Sequence, residues 1–250
     1  MNTIYTCGIK INPMPVSEII QMTRDDKRTN AACFQITGVN MEQIALLAKK
    51  PEFADFLNSS DIVNIDGTIV SLYLKVRGFK YVQRTLCADL LYGLLAEADR
   101  NHESIYLLGA GQDVIENVAA RIKESYPGLK IAGYNNGYFK SEAEIVETIG
   151  KCAPDYLFLG MPSPMKERFI SVNKDRLNAR VSLGVGGMFD IIAGKAKRAP
   201  VWIQRCGLEW FYRITQNPVE HTKRVCRALF PCMAVFVKYL FEKRNQVICQ

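Results

Sequence analysis

Asp66 is the residue of this sequence best suited to do chemistry. It ends an apolar run and precedes Gly67, and a carboxylate at the mouth of a buried strand can lose part of its hydration and act as a general base. The same side chain could instead cap the helix predicted after Gly67, and the sequence leaves both interpretations open. Glu167 and Asp190 also lie beside proline- or glycine-rich strand ends. Each is a further acidic candidate or a simple helix-terminus charge.

The sequence contains no pattern that predicts a metal or a redox cofactor. It has no Asp-x-Asp pair that could hold a divalent ion against a nucleotide diphosphate. Its eight cysteines form no Cys-x-x-Cys pair and are accompanied by only two histidines, so neither a zinc site nor a disulfide framework is predicted. We therefore expect no cofactor, and we expect arginines, lysines and backbone amides to bind any diphosphate.

Short β-type runs alternate with amphipathic segments of helix length along most of the chain. Predicted strands cover residues 33–37, 61–65, 104–108, 129–132, 155–159 and 181–185, and predicted helices cover 40–50, 68–76, 88–100, 113–125, 141–151 and 165–178. This alternation predicts an α/β fold with a mainly parallel, Rossmann-like sheet covered by helices. Such sheets bind ligands beyond the carboxyl ends of their strands.

Glycines follow most of the predicted strands, and Gly109, Gly111 and Gly186 are among them. Any one of these glycines could simply permit a tight turn, but several at one sheet edge favour a ligand-binding rim. The Gly-Ala-Gly run at 109–111 precedes a predicted helix and suits a phosphate at a helix N-terminus. The third glycine of the dinucleotide-binding pattern is absent, so NAD is not predicted.

Positive charge is concentrated in the last fifth of the sequence. The 250 residues carry a net charge of +7, and 48% of them are hydrophobic, which excludes a disordered protein. Residues 195–250, hereafter the tail, contain eleven basic and three acidic side chains. Such a confined positive field favours an anionic partner, which could be nucleic acid, anionic lipid or a phosphorylated ligand. We predict an α/β catalytic core over 1–194 and a basic, partly apolar helical appendage over 195–250.

The tail contains an amphipathic stretch around Pro231. On a helical projection, one sector of about 60° contains Arg224, Arg227, Pro231, Lys238 and Glu242, and the opposite half contains Phe230, Met233, Phe236, Val237 and Leu240. The proline should break this stretch into two helices. These could pack on the core or lie in a membrane interface beside anionic headgroups. Because neither a run of about 20 apolar residues nor a signal peptide is found, we expect a cytoplasmic protein peripheral to the membrane.

Several short motifs occur in an order that resembles one family of bacterial enzymes. They are Thr37-Gly38-Val39-Asn40, Asp61 to Gly67, Arg84 with Asp89, Leu107-Leu108-Gly109, Tyr126-Pro127, Gly137-Tyr138-Phe139, Pro164 to Glu167, Gly184 to Asp190, Arg198-Ala199-Pro200 and Leu208 to Arg213. From about Cys33 to Arg224, the chain resembles the WecG/TagA/CpsF family of glycosyltransferases. Each motif is weak alone, and the resemblance depends on their shared order and spacing.

The resemblance implies a reaction and its partners. Family members transfer a sugar from a UDP-sugar to a lipid-diphosphate-linked sugar at the cytoplasmic membrane face, without a metal and with inversion at the anomeric carbon. Members similar to TagA typically use UDP-N-acetylmannosamine and undecaprenyl-diphosphate-linked N-acetylglucosamine in wall teichoic acid synthesis. Others use UDP-N-acetylmannosaminuronic acid or different donors, so the donor stays open.

The resemblance also implies roles for individual residues. The family's proposed catalytic base falls on Asp66, and its C-terminal arginines fall on Arg213 and Arg224. Together with the glycine rim and the acidic candidates, the expected substrate-binding positions are Thr37, Asn40, Arg84, Gly109, Gly111, Lys166, Glu167, Gly186, Asp190, Arg213 and Arg224. Lys166 departs from the family, which commonly has glutamine there. A cation at this position could meet the diphosphate or the carboxylate of a uronic acid donor.

Two other functions are compatible with parts of the sequence. The basic tail with its interleaved Trp202, Trp210 and Tyr212 could bind nucleic acid, but the motif set argues against a nucleic-acid partner. A sugar-nucleotide sensor would keep the pocket and have lost its chemistry through the change at Lys166. The apolar side of the tail could also pack against a second copy of the chain, so the sequence is compatible with a homo-oligomer.

Overall fold

The computed structural model describes residues 2–26, 33–241 and 245–248. Its strands are β1 (Asn2–Thr6), β2 (Ile9–Ile11), β3 (Phe34–Val39), β4 (Ile62–Ile65), β5 (Ser104–Gly109), β6 (Lys130–Asn135), β7 (Tyr156–Gly160), β8 (Val181–Gly184) and β9 (Asn245–Ile248). Its helices are α1 (Val16–Asp25), α2 (Met41–Lys49), α3 (Phe53–Asn58), α4 (Thr68–Val76), α5 (Cys87–Arg100), α6 (Gln112–Ser125), α7 (Glu142–Cys152), α8 (Met165–Asn173), α9 (Met188–Ile192), α10 (Val201–Arg205), α11 (Glu209–Gln216) and α12 (Pro218–Tyr239).

Six parallel strands form the main sheet, in the order β4-β3-β8-β7-β5-β6. All six predicted strands and the six predicted helices are present, and every pairing in this sheet is parallel, so the predicted α/β class is confirmed. After β4 the chain crosses to β5 in the other half of the sheet. The carboxyl ends of β3, β4 and β8 therefore adjoin the kind of crevice in which α/β proteins bind ligands.

One predicted helix is shorter than expected, because α8 ends at Asn173 instead of continuing to residue 178. The Asn173 side chain donates to the carbonyl of Phe169 at 2.9 Å, and the chain then forms turns up to Asn178, whose φ is +46°. Asparagine tolerates this left-handed conformation and competes with the helix through its side-chain hydrogen bonds. The helical pattern therefore overstated the length of the segment.

Helices cover both faces of the main sheet. One face packs on α1, α5 and α6 through a buried apolar cluster that includes Ile36 and Leu183. The other face packs on α7 and α8 through a second cluster that includes Leu159 and Phe169. Because successive residues of a strand point to opposite faces, strands that are covered on both sides are apolar along almost their whole length.

A small antiparallel sheet lies outside the predicted elements. β1 and β2 form a hairpin whose two-residue turn, Cys7 and Gly8, has φ angles of +55° and +74°, the backbone that tight hairpins require. The side chains of Ile4, Ile9 and Ile11 are buried. β9 of the tail pairs with the other side of β1, with Asn2 opposite Ile248. The tail therefore contacts the start of the chain as well as the main sheet.

The prediction that Pro231 breaks the tail into two helices was wrong, because α12 runs through Pro231 without interruption. An interior proline costs about 3 kcal/mol, but α12 buries Ala228, Cys232 and Phe236 in a cluster shared with α2 and α4. Arg227, whose carbonyl loses its helical donor to the proline, is exposed and can be hydrated. Packing on the core therefore outweighs the proline. Within the described residues, no helix combines the length and apolarity needed to cross a bilayer.

Candidate active site

Asp66 lies directly after β4, at the carboxyl edge of the main sheet. Its backbone N–H and that of Gly67 both donate to the carbonyl of Val39, at 3.0 and 3.1 Å. The Oδ1 atom of Asp66 accepts the backbone N–H of Cys87 at 2.8 Å, and Oδ2 accepts Nδ2 of Asn40 at 3.4 Å. The carboxylate is half-buried and oriented by two independent elements, so it is set in place before any substrate arrives.

The carboxylate of Asp66 accepts a helix N–H from α5 and none from α4. The N-cap of α4 is Gly67, and no side chain caps that helix, so Asp66 does not cap the helix that follows it. Its carboxylate instead accepts the first N–H of α5, whose own N-cap, Leu86, supplies no side-chain acceptor. The carboxylate of Asp66 therefore lies at the N-terminus of α5, where the backbone N–H groups of a helix are free to bind an anion.

A chain of buried and half-buried polar groups extends from Asn40 towards α8. Asn40 forms a capping box with Gln43 at the start of α2. The Nε2 atom of Gln43 donates to the hydroxyl of Ser163 at 2.8 Å, and this hydroxyl donates to Oε1 of Glu167 at 2.7 Å. Oε2 of Glu167 is buried and has no hydrogen-bond partner among the described residues. Asn40 therefore connects the Asp66 carboxylate to the α8 end of the site.

Lys166 forms a buried ion pair with its neighbour in sequence, Glu167. Its Nζ lies 2.6 Å from Oε1 of Glu167, and only 8% of the lysine side chain and 1% of the glutamate side chain are exposed. Nζ also bonds to the hydroxyl of Ser163. A Cβ on Gly184 would lie 2.8 Å from Cδ of Lys166, so the lysine stem occupies the space that glycine leaves at the end of β8. The charge of Lys166 is balanced within the protein.

Thr37 and Gly38, adjacent on β3, face opposite sides of the sheet. A Cβ on Gly38 would lie 2.3 Å from Sγ of Cys87 and 3.1 Å from Cβ of Asp66, so this position admits only glycine. The Thr37 hydroxyl is buried on the other side, 2.9 Å from Oγ of Ser60. The structure thus brings Asn40 to Asp66 but turns the Thr37 hydroxyl away from that carboxylate. Burial, and next the charge of Asp66, raise the pKa of the Cys87 thiol.

The predicted glycine rim lies at the same edge of the sheet. Gly109 has φ of +138°, and a Cβ there would lie 2.5 Å from the carbonyl oxygen of Gly160. Gly111 is the N-cap of α6, and no side chain caps that helix. Gly186 has φ of +52°, and its missing side chain would meet nothing within 4 Å. The rim therefore combines an uncapped helix N-terminus with open space, as a phosphate-binding edge requires.

Arg84 attaches the tail to the core. This residue lies between α4 and α5 and donates to Oγ1 of Thr68 at 2.6 Å and to Oε2 of Glu209 on α11 at 2.7 Å. Burial raises the pKa of the Glu209 carboxyl, an effect that the charge of Arg84 opposes. Arg84 is therefore engaged in holding the tail beside the start of α4, two residues from Asp66.

Arg213 brings positive charge from α11 to the site. A Cβ on Gly187 would lie 3.3 Å from Nη1 of Arg213 and 3.9 Å from Oδ2 of Asp190, so the guanidinium lies over the end of β8 near the exposed Asp190. Burial and then Arg224 lower the pKa of Arg213, while Asp66 and Asp190 act in the opposite direction. Within the described residues, no carboxylate forms an ion pair with Arg213.

Arg224, by contrast, is already paired. Its guanidinium forms a two-pronged ion pair with both carboxylate oxygens of Glu42 on α2, and this bonding raises the pKa of Arg224. Burial, with Arg213 and Arg224 nearby, lowers the pKa of His221. The two predicted arginines of the tail therefore differ in their pairing. Arg213 pairs with no carboxylate among the described residues, whereas Arg224 would have to release Glu42 before it could bind an anionic ligand.

Sequence reasoning missed several residues of this site. The spacing of Asn40 and Gln43 is a capping-box pattern and could have indicated Gln43. No local signal indicates Ser163, Glu209 or Glu42, because each acts through a partner on another element at least 120 residues away. Among the described residues, no group of three or more His, Cys, Asp or Glu side chains converges in a way that could hold a metal ion.

Fold and site together define an α/β enzyme. A fixed carboxylate, a glycine-rich sheet edge and an arginine that pairs with no carboxylate in the described part of the chain lie at the crevice where such sheets bind anionic ligands. The family model for the glycosyl transferase WecG/TagA/CpsF family matches residues 4–246. The chain belongs to this family and is a glycosyltransferase.

Three curated relatives share one enzyme name. A protein of Bacillus subtilis strain 168 is 36% identical over 183 residues, which cover 73% of this chain and 72% of that protein. A protein of Bacillus spizizenii is 35% identical, covering 69% and 67%. One of Staphylococcus aureus strain NCTC 8325 is 30% identical, covering 71% and 70%. Each is named N-acetylglucosaminyldiphosphoundecaprenol N-acetyl-beta-D-mannosaminyltransferase.

Proposed function

We propose that this enzyme transfers N-acetylmannosamine from UDP-N-acetylmannosamine to undecaprenyl-diphosphate-linked N-acetylglucosamine, with inversion, in wall teichoic acid or related cell-surface polysaccharide synthesis. The observation that carries the proposal is the shared reaction name of relatives that align with more than two thirds of the chain. The fixed carboxylate at the sheet edge supports it, because direct displacement by an alcohol needs a base.

Asp66 is the proposed base. It takes the proton of the acceptor hydroxyl while that oxygen forms a bond to the anomeric carbon. The bond between the anomeric carbon and the phosphate oxygen breaks, and UDP leaves with the electron pair. One such displacement inverts the anomeric configuration, in agreement with the β product in the relatives' name. A positioned carboxylate contributes roughly 10²–10⁴-fold to the rate of a step of this kind.

Arg213 is the proposed cation for the departing UDP. Negative charge grows on the diphosphate as the bond breaks, and preorganised donors stabilise it best where water is excluded. Arg213 is partly buried and has no ion-pair partner among the described residues. Backbone amides after Gly111 and the open space at Gly186 would accommodate the phosphates. Arg224 joins them only if the diphosphate displaces Glu42.

The ion pair of Lys166 supports a neutral donor sugar. A lysine that recognised the carboxylate of a uronic acid donor would need a free ammonium group. Here the ammonium is buried against Glu167 and Ser163, so a second carboxylate would face a pair that is already neutral. This pairing favours N-acetylmannosamine over its uronic acid. Gly184 and Glu167 then contribute to the shape of the pocket and do not recognise a charged group of the donor sugar.

We further propose that the tail, as an appendage of the 1–194 core, holds the enzyme on the inner face of the membrane. The acceptor in the relatives' name carries an undecaprenol chain, which stays in the bilayer. The described part of the tail exposes large apolar side chains together with its basic residues, among them Trp202 (66% exposed), Phe230 (79%) and Val237 (58%). Apolar and cationic groups on one surface are typical of helices in the membrane interface.

A donor screen tests the proposal. Purified enzyme is incubated with a synthetic N-acetylglucosaminyl-diphospho-lipid and a panel of UDP-sugars, UDP release is measured, and the anomeric configuration of the product is determined by NMR. We expect turnover with UDP-N-acetylmannosamine and a β-linked product. Turnover with another donor only would contradict the donor assignment, and an α product would contradict inversion. Tight binding of UDP-sugars without turnover would instead indicate a sensor.

A further inference from the structure

Helix α4 exposes an apolar strip on the surface of the core. The side chains of Val70, Tyr73 and Leu74 are buried, whereas Leu72 is 59% exposed and Val76 is 69% exposed. Leu72 and Val76 are four residues apart, so they lie on the same side of the helix. Nothing within the described chain covers them.

The tail flanks this strip on both sides. Towards the start of α4, Thr68 donates to the carbonyl of Gly207, between α10 and α11, at 3.0 Å. Farther along, the ring of Tyr73 stacks on the ring of Phe236 of α12, with centroids 4.0 Å apart. On a helical projection of α4, Leu72 and Val76 fall between Thr68 and Tyr73. The exposed strip therefore lies between two parts of the tail.

The apolar surface continues from α4 onto α12. On α12, the side chain of Phe236 points towards α4, and the exposed Met233, Val237 and Phe230 follow it around the helix, away from the core. The basic residues Arg227 and Lys238 lie on the opposite flank of the same helix. The contact between Tyr73 and Phe236 therefore places the exposed strip of α4 next to the apolar side of α12.

The charge around α4 matches an anionic surface. Residues 67–88 contain four basic and no acidic side chains. Arg77 and Arg84 are engaged, by the carbonyl of Tyr239 and by Glu209 respectively. Lys75 and Lys80 are exposed. Lysines beside a pair of exposed aliphatic side chains suit anionic headgroups above an apolar layer, because basic residues near a negatively charged membrane surface are attracted to it.

We propose that α4 is a second membrane-contacting element, with Leu72 and Val76 in the headgroup region of an anionic bilayer and Lys75 and Lys80 on its phosphates. The inference rests on the proposed function, since it extends the membrane contact from the tail to the core. Its consequence is geometric. Leu72 lies about 6 Å along the axis of α4 from Thr68, and Asp66 lies two residues before Thr68, so this contact holds the base beside the surface that carries the acceptor diphosphate.

The experiment compares the full chain with its L72Q/V76Q variant. Binding is measured on phosphatidylcholine vesicles with and without phosphatidylglycerol, and activity is measured with a short-chain, water-soluble acceptor. We expect the variant to lose at least about tenfold in vesicle partitioning, with unchanged activity on the soluble acceptor. The matched control is V172Q, on the exposed side of α8 (57% exposed), which should partition like the wild type. K75E/K80E should weaken binding only when phosphatidylglycerol is present.

The outcomes separate this inference from the proposal on which it rests. If the wild type binds neither kind of vesicle, the proposed membrane association of the tail fails, and the inference fails with it. If F230Q/V237Q loses binding while L72Q/V76Q behaves like V172Q, only the inference on α4 is overturned. It is also overturned if L72Q/V76Q changes the molar mass in solution without changing partitioning, because the strip would then be an interface between two copies of the chain.

Discussion

The backbone N–H of Cys87 donates to Oδ1 of Asp66 at 2.8 Å, so the first turn of α5 fixes the carboxylate at the end of β4. The second oxygen is held more loosely, by Asn40 at 3.4 Å. Oδ1 is thus held by a backbone hydrogen bond, and Oδ2 is the better placed to receive a proton. This asymmetry is what a general base needs, because it combines a fixed orientation with a free lone pair.

Replacing Asp66 with asparagine should abolish most of the activity and leave the fold intact. Asparagine keeps the acceptor for Cys87 but cannot take a proton, so we expect kcat to fall by roughly 10²–10⁴-fold. Steady-state UDP release measures the loss, and thermal unfolding checks the fold. Asp55→Asn, at an exposed position of α3, is the matched control and should keep wild-type kcat. Near-full turnover by Asp66→Asn would remove the base assignment.

The ion pair between Arg84 and Glu209 should stabilise the docked tail. The two side chains are 18% and 26% exposed, so water screens their attraction only in part. A double-mutant cycle with Arg84→Gln and Glu209→Gln should give a coupling of about 1–3 kcal/mol in urea unfolding. The control cycle uses Asp113 and Lys195, another contact between core and tail that is 68% and 51% exposed. Its coupling should be at most about 0.5 kcal/mol, and equal couplings would contradict the prediction.

Lys166→Gln should leave the choice of donor unchanged. The lysine charge is balanced by Glu167, and a glutamine amide can still donate to that carboxylate. We expect turnover of UDP-N-acetylmannosamine to stay within about fivefold of the wild type, or about 1 kcal/mol in the barrier, and no relative gain for a neutral donor over a uronic one. Lys166→Leu, which leaves Glu167 unpaired in the interior, should lower the free energy of unfolding by about 3–5 kcal/mol. A switch of donor by Lys166→Gln would restore the uronic acid hypothesis.

The sequence predicted the sheet and the position of Asp66 because both depend on local patterns. Apolar runs of strand length and the glycines after them are readable without tertiary contacts. The site partners are not, since Arg224 and Glu42 are 182 residues apart and Gln43 and Ser163 are 120 apart. Pro231 shows the same limit of local patterns. Proline disfavours a helix interior, but the packing of α12 on the core overrode this preference. Side-chain pairs of this kind exist only once the elements have packed.

His221 should make the tail sensitive to acid. Burial and the two nearby arginines lower its pKa below the ordinary 6.5, so the unfolded chain takes up the proton more readily than the folded one. Its contribution to stability is therefore complete above pH 6.5 and is lost as the pH falls below that value. The free energy of unfolding should decline less steeply on acidification in His221→Gln than in the wild type. Identical pH profiles in urea titrations would show that His221 has no such role.

Glu97 should contribute stability that is lost only in stronger acid. Its side chain is 3% exposed and pairs with Arg24 and Arg100, and hydrogen bonding to Arg24 lowers its pKa to about 2. The contribution is complete above the ordinary pKa of 4.5 and disappears as the pH falls towards 2. At neutral pH, Glu97→Gln should lower the free energy of unfolding by about 1–3 kcal/mol. Glu147→Gln, which removes an exposed pair with Lys151, should change it by at most about 0.5 kcal/mol.

The antiparallel pairing of β9 with β1 means that the tail is tethered to the core at its far end as well as at its root. A truncation after Gly194 would remove this strand and leave the outer edge of β1 without hydrogen-bond partners, an edge prone to aggregation. A loss of activity in such a truncated chain would have two causes that the experiment could not separate, namely the loss of substrate contacts and damage to the β1–β2 hairpin. Point substitutions on α11 and α12, which leave the tether in place, isolate what the arginines and apolar side chains do.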